Sequence, residues 1–215
     1  MSKITEHIIK LREDFLKGNL DEREVNADPF VQFETWFQQT ISAQMPEAQA
    51  MTLSTSINNK PSSRIVYLRE LKDHKFWFYG NLNSRKAKEL SQNPNASLNF
   101  FWTGLERQIR IEGTVVLAEN SYNDNYFNQR PRESKLGAWA SAQSSKLSSR
   151  KELEDKLQSL GKEFEGKEIP RPSFWGGWIL SAHYYEFWQG RKSRLHDRIS
   201  YELKDKNWEI ARLAP

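Results

Sequence analysis

The chain has 215 residues, 37% of them hydrophobic, a net charge of +4, no cysteine and four histidines. That length suits one domain with a sizeable core, and a mean hydropathy of −0.81 leaves no apolar run able to span a bilayer. Without cysteine, disulfides and thiolate metal sites are excluded and a reducing, cytoplasmic location is expected; His7, His74, His183 and His196 follow no ligand spacing, so no protein-bound metal is expected.

The opening MSKITEHIIKLREDF is charged throughout and lacks the apolar middle of a signal peptide. Residues 3–17 predict a charged, weakly amphipathic helix, followed by a loop. In ADPFVQFETWFQQTI, Asp28 is a candidate N-cap and Pro29 a first helical residue, with Phe30, Phe33, Phe37 and Ile41 on one face. The period then changes to two. Strands are predicted over 51–57, 63–68, 75–80, 96–102 and 107–116, the last with Ile109, Ile111 and Val115 on one face and Arg110, Glu112 and Thr114 on the other. Helices interrupt at 84–93 and at 148–164, where Ser149 and Glu152 read as a capping box and Leu153, Leu157, Leu160 and Phe164 as an apolar stripe. FWGGWILS, HYYEFWQ, RISYEL and WEIARL complete about eight short strands. Mostly hairpin-scale connections point to a mainly β fold, an antiparallel barrel with peripheral helices. With no linker or repeat, residues 1–215 read as a single domain, with 1–27 as a mobile N-terminal helical segment.

No nucleotide-phosphate loop and no Ser-His-Asp arrangement is present. Basic residues instead recur where elements start and end. Ser84 caps a helix whose first turn holds Arg85 and Lys86, so free N–H groups, the dipole and two cations converge as a phosphate site requires. Arg64 and Arg69 flank an apolar strand. Tyr126, Arg130 and Ser134 lie four apart and share a face if helical, although Pro131 favours a turn there. In WQGRKSRLHDR, a continuing strand would put Arg194, His196 and Arg198 on one face, where three cationic groups repel unless an anion joins them. For the first three, solvated basic residues at element ends remain the alternative that spacing leaves open. Eight Trp, twelve Phe and seven Tyr suit a packed β core and equally pockets for flat ligands.

EFWQGRKSRLHDR resembles the signature of the pyridoxine (pyridoxamine) 5'-phosphate oxidases, E-aromatic-W-Q-x4-R-L-H-D-R. The resemblance continues through RIVYLRE, NLNSRKAKEL, LERQIRIEG, YFNQRPRESKLGAWASAQSS, PSFWGGW and the terminal RLAP, covering the chain from about Asp28 onward. It implies a split β-barrel homodimer with FMN at the subunit interface. It also implies oxidation of pyridoxamine or pyridoxine 5'-phosphate to pyridoxal 5'-phosphate, with oxygen reduced to hydrogen peroxide. Carried over residue by residue, FMN would be held by Arg64, Ile65, Val66, Tyr67, Leu68, Arg69, Tyr79, Gly80, Arg85, Lys86, Gln108, Gln143, Ser144, Trp188 and Arg198. The substrate phosphate would meet Arg69, Tyr126, Arg130 and Ser134. Arg194, Leu195 and His196 would meet its ring, with Arg194 and His196 catalytic as hydride leaves for the flavin.

Two dianionic ligands account for the dispersed basic residues better than a nucleic acid, since no continuous basic stripe occurs; no membrane partner is expected either. Three departures stand out. Arg69 occupies a position where the family commonly has lysine, and Gly80 one where a hydroxyl residue is frequent. Phe15 lacks the hydroxyl of a family lid tyrosine, so Arg12 to Phe15 are given no site role. The alternatives are another split-barrel FMN oxidoreductase, or a non-catalytic binder of flavin or pyridoxal phosphate.

Overall fold

The computed structural model describes residues 2–10 and 14–215. Six helices and nine strands occur among these: α1 Lys3–Lys10, α2 Pro29–Ser42, β1 Ala50–Ile57, β2 Lys60–Tyr67, β3 Glu70–Lys72, β4 Lys75–Asn81, α3 Arg85–Gln92, β5 Asn95–Trp102, β6 Arg107–Leu117, α4 Asn120–Asn128, α5 Arg132–Ala140, α6 Arg150–Glu163, β7 Trp175–Gln189, β8 Asp197–Lys204 and β9 Asn207–Arg212. The sheet runs β2-β1-β5-β6-β7-β4-β3, with β8 on β7 and β9 on β8. Three hairpins (β1–β2, β3–β4 and β8–β9) are antiparallel, turning on Asn58-Asn59, Asp73-His74 and Asp205-Lys206. All six turn residues have positive φ, the backbone that two-residue hairpin loops need to match strand twist.

Contacts group the chain into two units. The first comprises Met1–Ala48, Asn99–Ile111 and His183–Pro215; the second comprises Gln49–Leu98 and Glu112–Ala182. In the first unit, the Asp28 carboxylate caps α2 by accepting from Phe30 N–H, with Pro29 following. Phe33, Trp36 and Thr40 are buried, and Thr40 satisfies its hydroxyl on the Trp36 carbonyl. This seam lies one notch round from the expected stripe, so Ile41 falls past its edge and stays 49% exposed. Phe33 meets Phe100 edge-on at 5.1 Å, and Trp36 meets Phe187 at 5.3 Å. Such pairs add to the area each ring buries.

The helix predicted over 3–17 ends earlier. Residues 11–13 lie outside the described residues, and 14–20 are not helical. There the backbone N–H groups of Leu16 and Lys17 instead donate to the Glu106 carboxylate, both at 2.8 Å. A charged side chain thus outcompetes the i→i−4 bonds that a weak helix former would make.

In the second unit β4 pairs antiparallel with the first half of β7, from Lys75↔Ser181 to Asn81↔Trp175. FWGGWILS and HYYEFWQ, read as two strands, are one strand of 15 residues; Ser181-Ala182 is not a turn. Short β3 was not anticipated. The 126–145 segment breaks at Pro131 into α4 and α5, as a residue lacking N–H dictates. Ser149 occupies the N-cap of α6 as expected but makes no side-chain cap bond. The reciprocal half of the box shifts by one residue, the Glu152 carboxylate accepting from the N–H and hydroxyl of Ser148 at 3.0 and 2.8 Å. The leucine stripe of α6 is only partly covered, with Leu157 exposed.

Candidate active site

In the second unit a cavity of about 370 Å³ is lined by Arg69, Tyr79, Gly80, Tyr126, Arg130, Ser134, Gln143 and Trp175, among others. Tyr126, Arg130 and Ser134 therefore converge, although not along one helix. Tyr126 sits near the end of α4, Arg130 in the turn and Ser134 in the first turn of α5. Tyr79 stacks on Tyr126 at 4.0 Å and 5°, and the Trp175 ring lies nearly parallel to both. The Arg130 guanidinium lies 4.7 Å from the Trp175 centroid and 5.4 Å from that of Phe127, a cation–π arrangement. Its Nη1 is buried without a hydrogen-bond partner. Burial first, and the Arg69 charge after it, push the Arg130 pKa down against an opposing contribution from Tyr126. Burial, then Glu70, pushes the Tyr79 phenol up, so it remains a neutral donor.

A second cavity of about 260 Å³ in the same unit is lined by Ser62, Ser63, Arg64, Ser84, Arg85, Lys86, Gln143 and Ser144. It lies at the start of α3. The Ser84 hydroxyl caps Ala87 N–H at 3.4 Å, and Arg85 N–H donates to Ser144 Oγ at 3.1 Å. Ser144 adopts φ 73° to meet it, a conformation unfavourable for a non-glycine residue. Lys86 is only 7% exposed. Its ammonium donates to Ser84 Oγ and Gln143 Oε1, both at 3.1 Å, and burial, with Arg64 adding repulsion, lowers its pKa to about 8. A Cβ at Gly80 would come within 2.9 Å of Lys86 Nζ. Lys86 thus takes the space that a hydroxyl-bearing side chain at position 80 would use.

Glu89, one turn further along α3, was not singled out from sequence. It is 4% exposed and receives Thr55 Oγ1 at 2.6 Å, Arg64 Nη2 at 2.7 Å and Arg85 Nε at 2.8 Å. Arg64 also donates to Leu53 O, Thr55 Oγ1 and Ser62 Oγ. The run between Arg64 and Arg69 is not the buried strand expected. β2 ends the sheet, so Ile65 is 64% exposed and only Leu68 is buried. Val66 and Tyr67 are half-buried.

In the first unit the expectation for RLHDR is corrected. Lys192–Arg194 form a 3-10 turn with Ser193 at φ 58° and Arg194 at φ 61°, and the strand begins only at Asp197. Strand alternation therefore cannot align Arg194, His196 and Arg198. Nor do these groups repel unrelieved, because Arg198 is paired: its Nε donates to Glu186 at 2.9 Å and its Nη1 to Ala214 O at 2.7 Å. Glu186 is 2% exposed and also accepts from Arg110 at 3.1 Å and the Tyr184 hydroxyl at 3.2 Å. Arg198 stands opposite Trp188 in the β7–β8 register. Arg194 and Leu195 are exposed, and Gln108 is half-buried on β6.

His196 lies 4.7 Å from the Trp188 ring. Its Nδ1 accepts from Arg191 N–H at 3.1 Å, so the neutral ring carries its proton on Nε2. Burial, then Arg194, lowers its pKa, with Asp197 opposing. Phe15, given no role from sequence because it lacks a hydroxyl, meets both Trp188 and His196 edge-on at 5.5 Å. A Cβ at Gly190 would come within 2.6 Å of the Phe15 ring, so glycine there makes room for it. Asp14 accepts from Ser193 N–H at 3.1 Å. Arg12 and Glu13 lie outside the described residues.

The family described as pyridoxamine 5'-phosphate oxidase matches residues 37–162, and the pyridoxine 5'-phosphate oxidase C-terminal dimerisation region matches residues 175–215. A pyridoxine/pyridoxamine 5'-phosphate oxidase of Nostoc sp. (strain PCC 7120) is 48% identical over 97% of this chain and 98% of its own. One from Cyanothece sp. (strain PCC 7425) is 47% identical over 99% and 100%. Among solved structures, PhzG from Burkholderia lata 383, in complex with tetrahydrophenazine-1-carboxylic acid, superposes with a TM-score of 0.86 at 29% identity over 91% of this chain and 98% of that one. A pyridoxamine 5'-phosphate oxidase-related, FMN-binding protein of Nostoc punctiforme has the same fold, with a TM-score of 0.70 at 15% identity over 89% and 100%.

Proposed function

Because the chain belongs to the pyridoxamine 5'-phosphate oxidase family, we propose that it oxidises pyridoxamine 5'-phosphate and pyridoxine 5'-phosphate to pyridoxal 5'-phosphate, using FMN and reducing oxygen to hydrogen peroxide. The protein is a homodimer, in keeping with the dimerisation region at residues 175–215. We assign it to the cytoplasm, as its lack of cysteine suggests, and treat residues 1–215 as one FMN-binding domain with 1–27 as its N-terminal segment. Among the described residues no helix is long and apolar enough to cross a membrane.

The observation that carries this reading is Arg130. A buried guanidinium nitrogen without an acceptor is costly, and an anion in its cavity removes the cost. Arg69, Tyr126, Arg130 and Ser134 together form the donor set for a phosphate ester: two guanidiniums, a phenol and a hydroxyl. The residues at the start of α3 suit the flavin phosphate equally well, with Arg64, Arg85 and Lys86 supplying charge and Ser84 and Ser144 supplying hydroxyls. Ile65, Val66, Tyr67, Leu68, Tyr79, Gly80, Gln108, Gln143, Trp188 and Arg198 are assigned to the rest of the flavin. When bound, FMN supplies the two-electron acceptor and passes the electrons to oxygen.

The chain's own task is position and charge. His196, neutral to a lower pH than an ordinary imidazole, offers Nε2–H to the substrate ring, and Trp188 limits how that imidazole can turn. Arg194 and Leu195, exposed on the turn, are assigned to the same substrate, Arg194 stabilising charge as the C–H bond breaks. Holding the reacting atoms in line replaces an entropic cost of roughly 7–11 kcal/mol. The test is direct. The purified protein should show the flavin spectrum and, on addition of pyridoxamine 5'-phosphate, form pyridoxal 5'-phosphate and peroxide in equal amounts. A yellow protein forming neither would be a different split-barrel flavoprotein or a binder, and a colourless one that takes up no FMN would end the flavin reading.

A further inference from the structure

One buried group in α3, a turn beyond the helix start, is an anion where the proposed ligand is itself an anion. Glu89 ties together three elements: Thr55 of β1, Arg64 of β2 and Arg85 of its own helix. Burial raises the cost of its charge, but the hydrogen bonds from Thr55, Arg85 and Arg64 outweigh this and lower its pKa to about 2. It is therefore ionised throughout the physiological range. For stability alone such a buried triad is a poor choice, since apolar replacements of similar volume are often neutral or better.

Its consequences for the cations are specific. The Arg85 side chain is 69% exposed and would otherwise sample many rotamers. Arg64 and Lys86 repel one another, which adds to burial, the larger cause, in lowering the Lys86 pKa. Three cations and one carboxylate leave two surplus positive charges, the complement of a phosphate monoester dianion. We propose that Glu89 is a positioning residue for the flavin phosphate, fixing Arg64 and Arg85 and matching the charge of the cradle to a dianion. The inference rests on the flavin reading above and goes beyond it by assigning a role to a residue that need not touch the ligand.

The test compares FMN with riboflavin, which lacks the phosphate, by titrating apoprotein and following flavin fluorescence. In the wild type FMN should bind far more tightly than riboflavin. Glu89→Gln should weaken FMN about tenfold while leaving riboflavin within about twofold, and Glu89→Asp should recover part of the loss. Thr55→Val, which removes one hydrogen bond to Glu89 and one from Arg64, should shift FMN alone by roughly threefold, and it carries the test should Glu89→Gln not fold. Equal losses for both ligands, or an unchanged ratio in a folded variant, overturn the role of Glu89. A wild type that binds neither flavin overturns the flavin reading instead.

Discussion

The two units use one device for different ends. In each, a buried carboxylate bridges two arginines and a hydroxyl: Glu89 with Arg64, Arg85 and Thr55 in one, Glu186 with Arg110, Arg198 and Tyr184 in the other. Around Glu89 the neighbours are a helix start, a buried ammonium and serines, an environment that grips charge. Around Glu186 they are Trp188 opposite Arg198, then His196 and Phe15 on Trp188, an environment suited to a flat ring. The carboxylates hold two arginines in both places. The company they keep is what assigns one pair, in the function proposed above, to a phosphate and the other to the surroundings of an aromatic ligand.

This contrast is broken most sharply at Arg194. Arg194→Ala should lower kcat/KM by about 10²-fold or more with flavin content unchanged, as steady-state kinetics and absorbance on one sample would show. Wild-type turnover in a fully flavinated variant removes Arg194 from the chemistry. At the other unit, Arg130→Ala should raise the substrate KM by about 10- to 100-fold, the loss of a charge-assisted contact, with a much smaller change in kcat. If kcat falls and KM holds, the phosphate assignment fails.

A pH series sharpens the comparison further. Lys86 loses its proton near pH 8 rather than near 10.5, so the fold bears the cost of a buried ammonium below about pH 8, and that cost fades as pH rises toward 10.5. A bound phosphate favours the charged form. FMN binding above pH 8 should therefore take up a proton and weaken with pH by at most about tenfold per unit, a slope that Lys86→Met should flatten in the same titration. The smallest effect belongs to Phe15→Ala. Freeing the His196 imidazole should cost kcat a few-fold, about 1 kcal/mol, without changing FMN affinity; a variant with kinetics identical to wild type would make Phe15 a packing residue only.

Much of this arrangement was legible in the sequence, and what was not had physical causes. Alternation located the β segments, and Asp28-Pro29 and Ser84 marked the helix starts they occupy. A shared face for Tyr126, Arg130 and Ser134 was conditional on a helix that Pro131 argued against; Pro131 does break the segment, and the turn brings the three to one cavity. Starting the strand of RLHDR at Arg194 was wrong because Arg194, like Ser193 before it, takes positive φ with no glycine at either position to signal it, and the strand begins only at Asp197. Glu89 escaped notice because its partners Arg64 and Thr55 lie 25 and 34 residues away, beyond any local pattern. Glu186 was visible as the first residue of the EFWQ signature, but β periodicity alone gives it no partner.

Gln143 lines both cavities of the second unit, and its Oε1 accepts from Lys86 Nζ and from Asn81 N–H. An occupant of either cavity that favours one orientation of this amide sets the starting point for the other. By thermodynamic linkage the factor is identical in both directions. With substrate and flavin assigned to these cavities as proposed above, whatever substrate does to the retention of flavin through Gln143, flavin does to the retention of substrate.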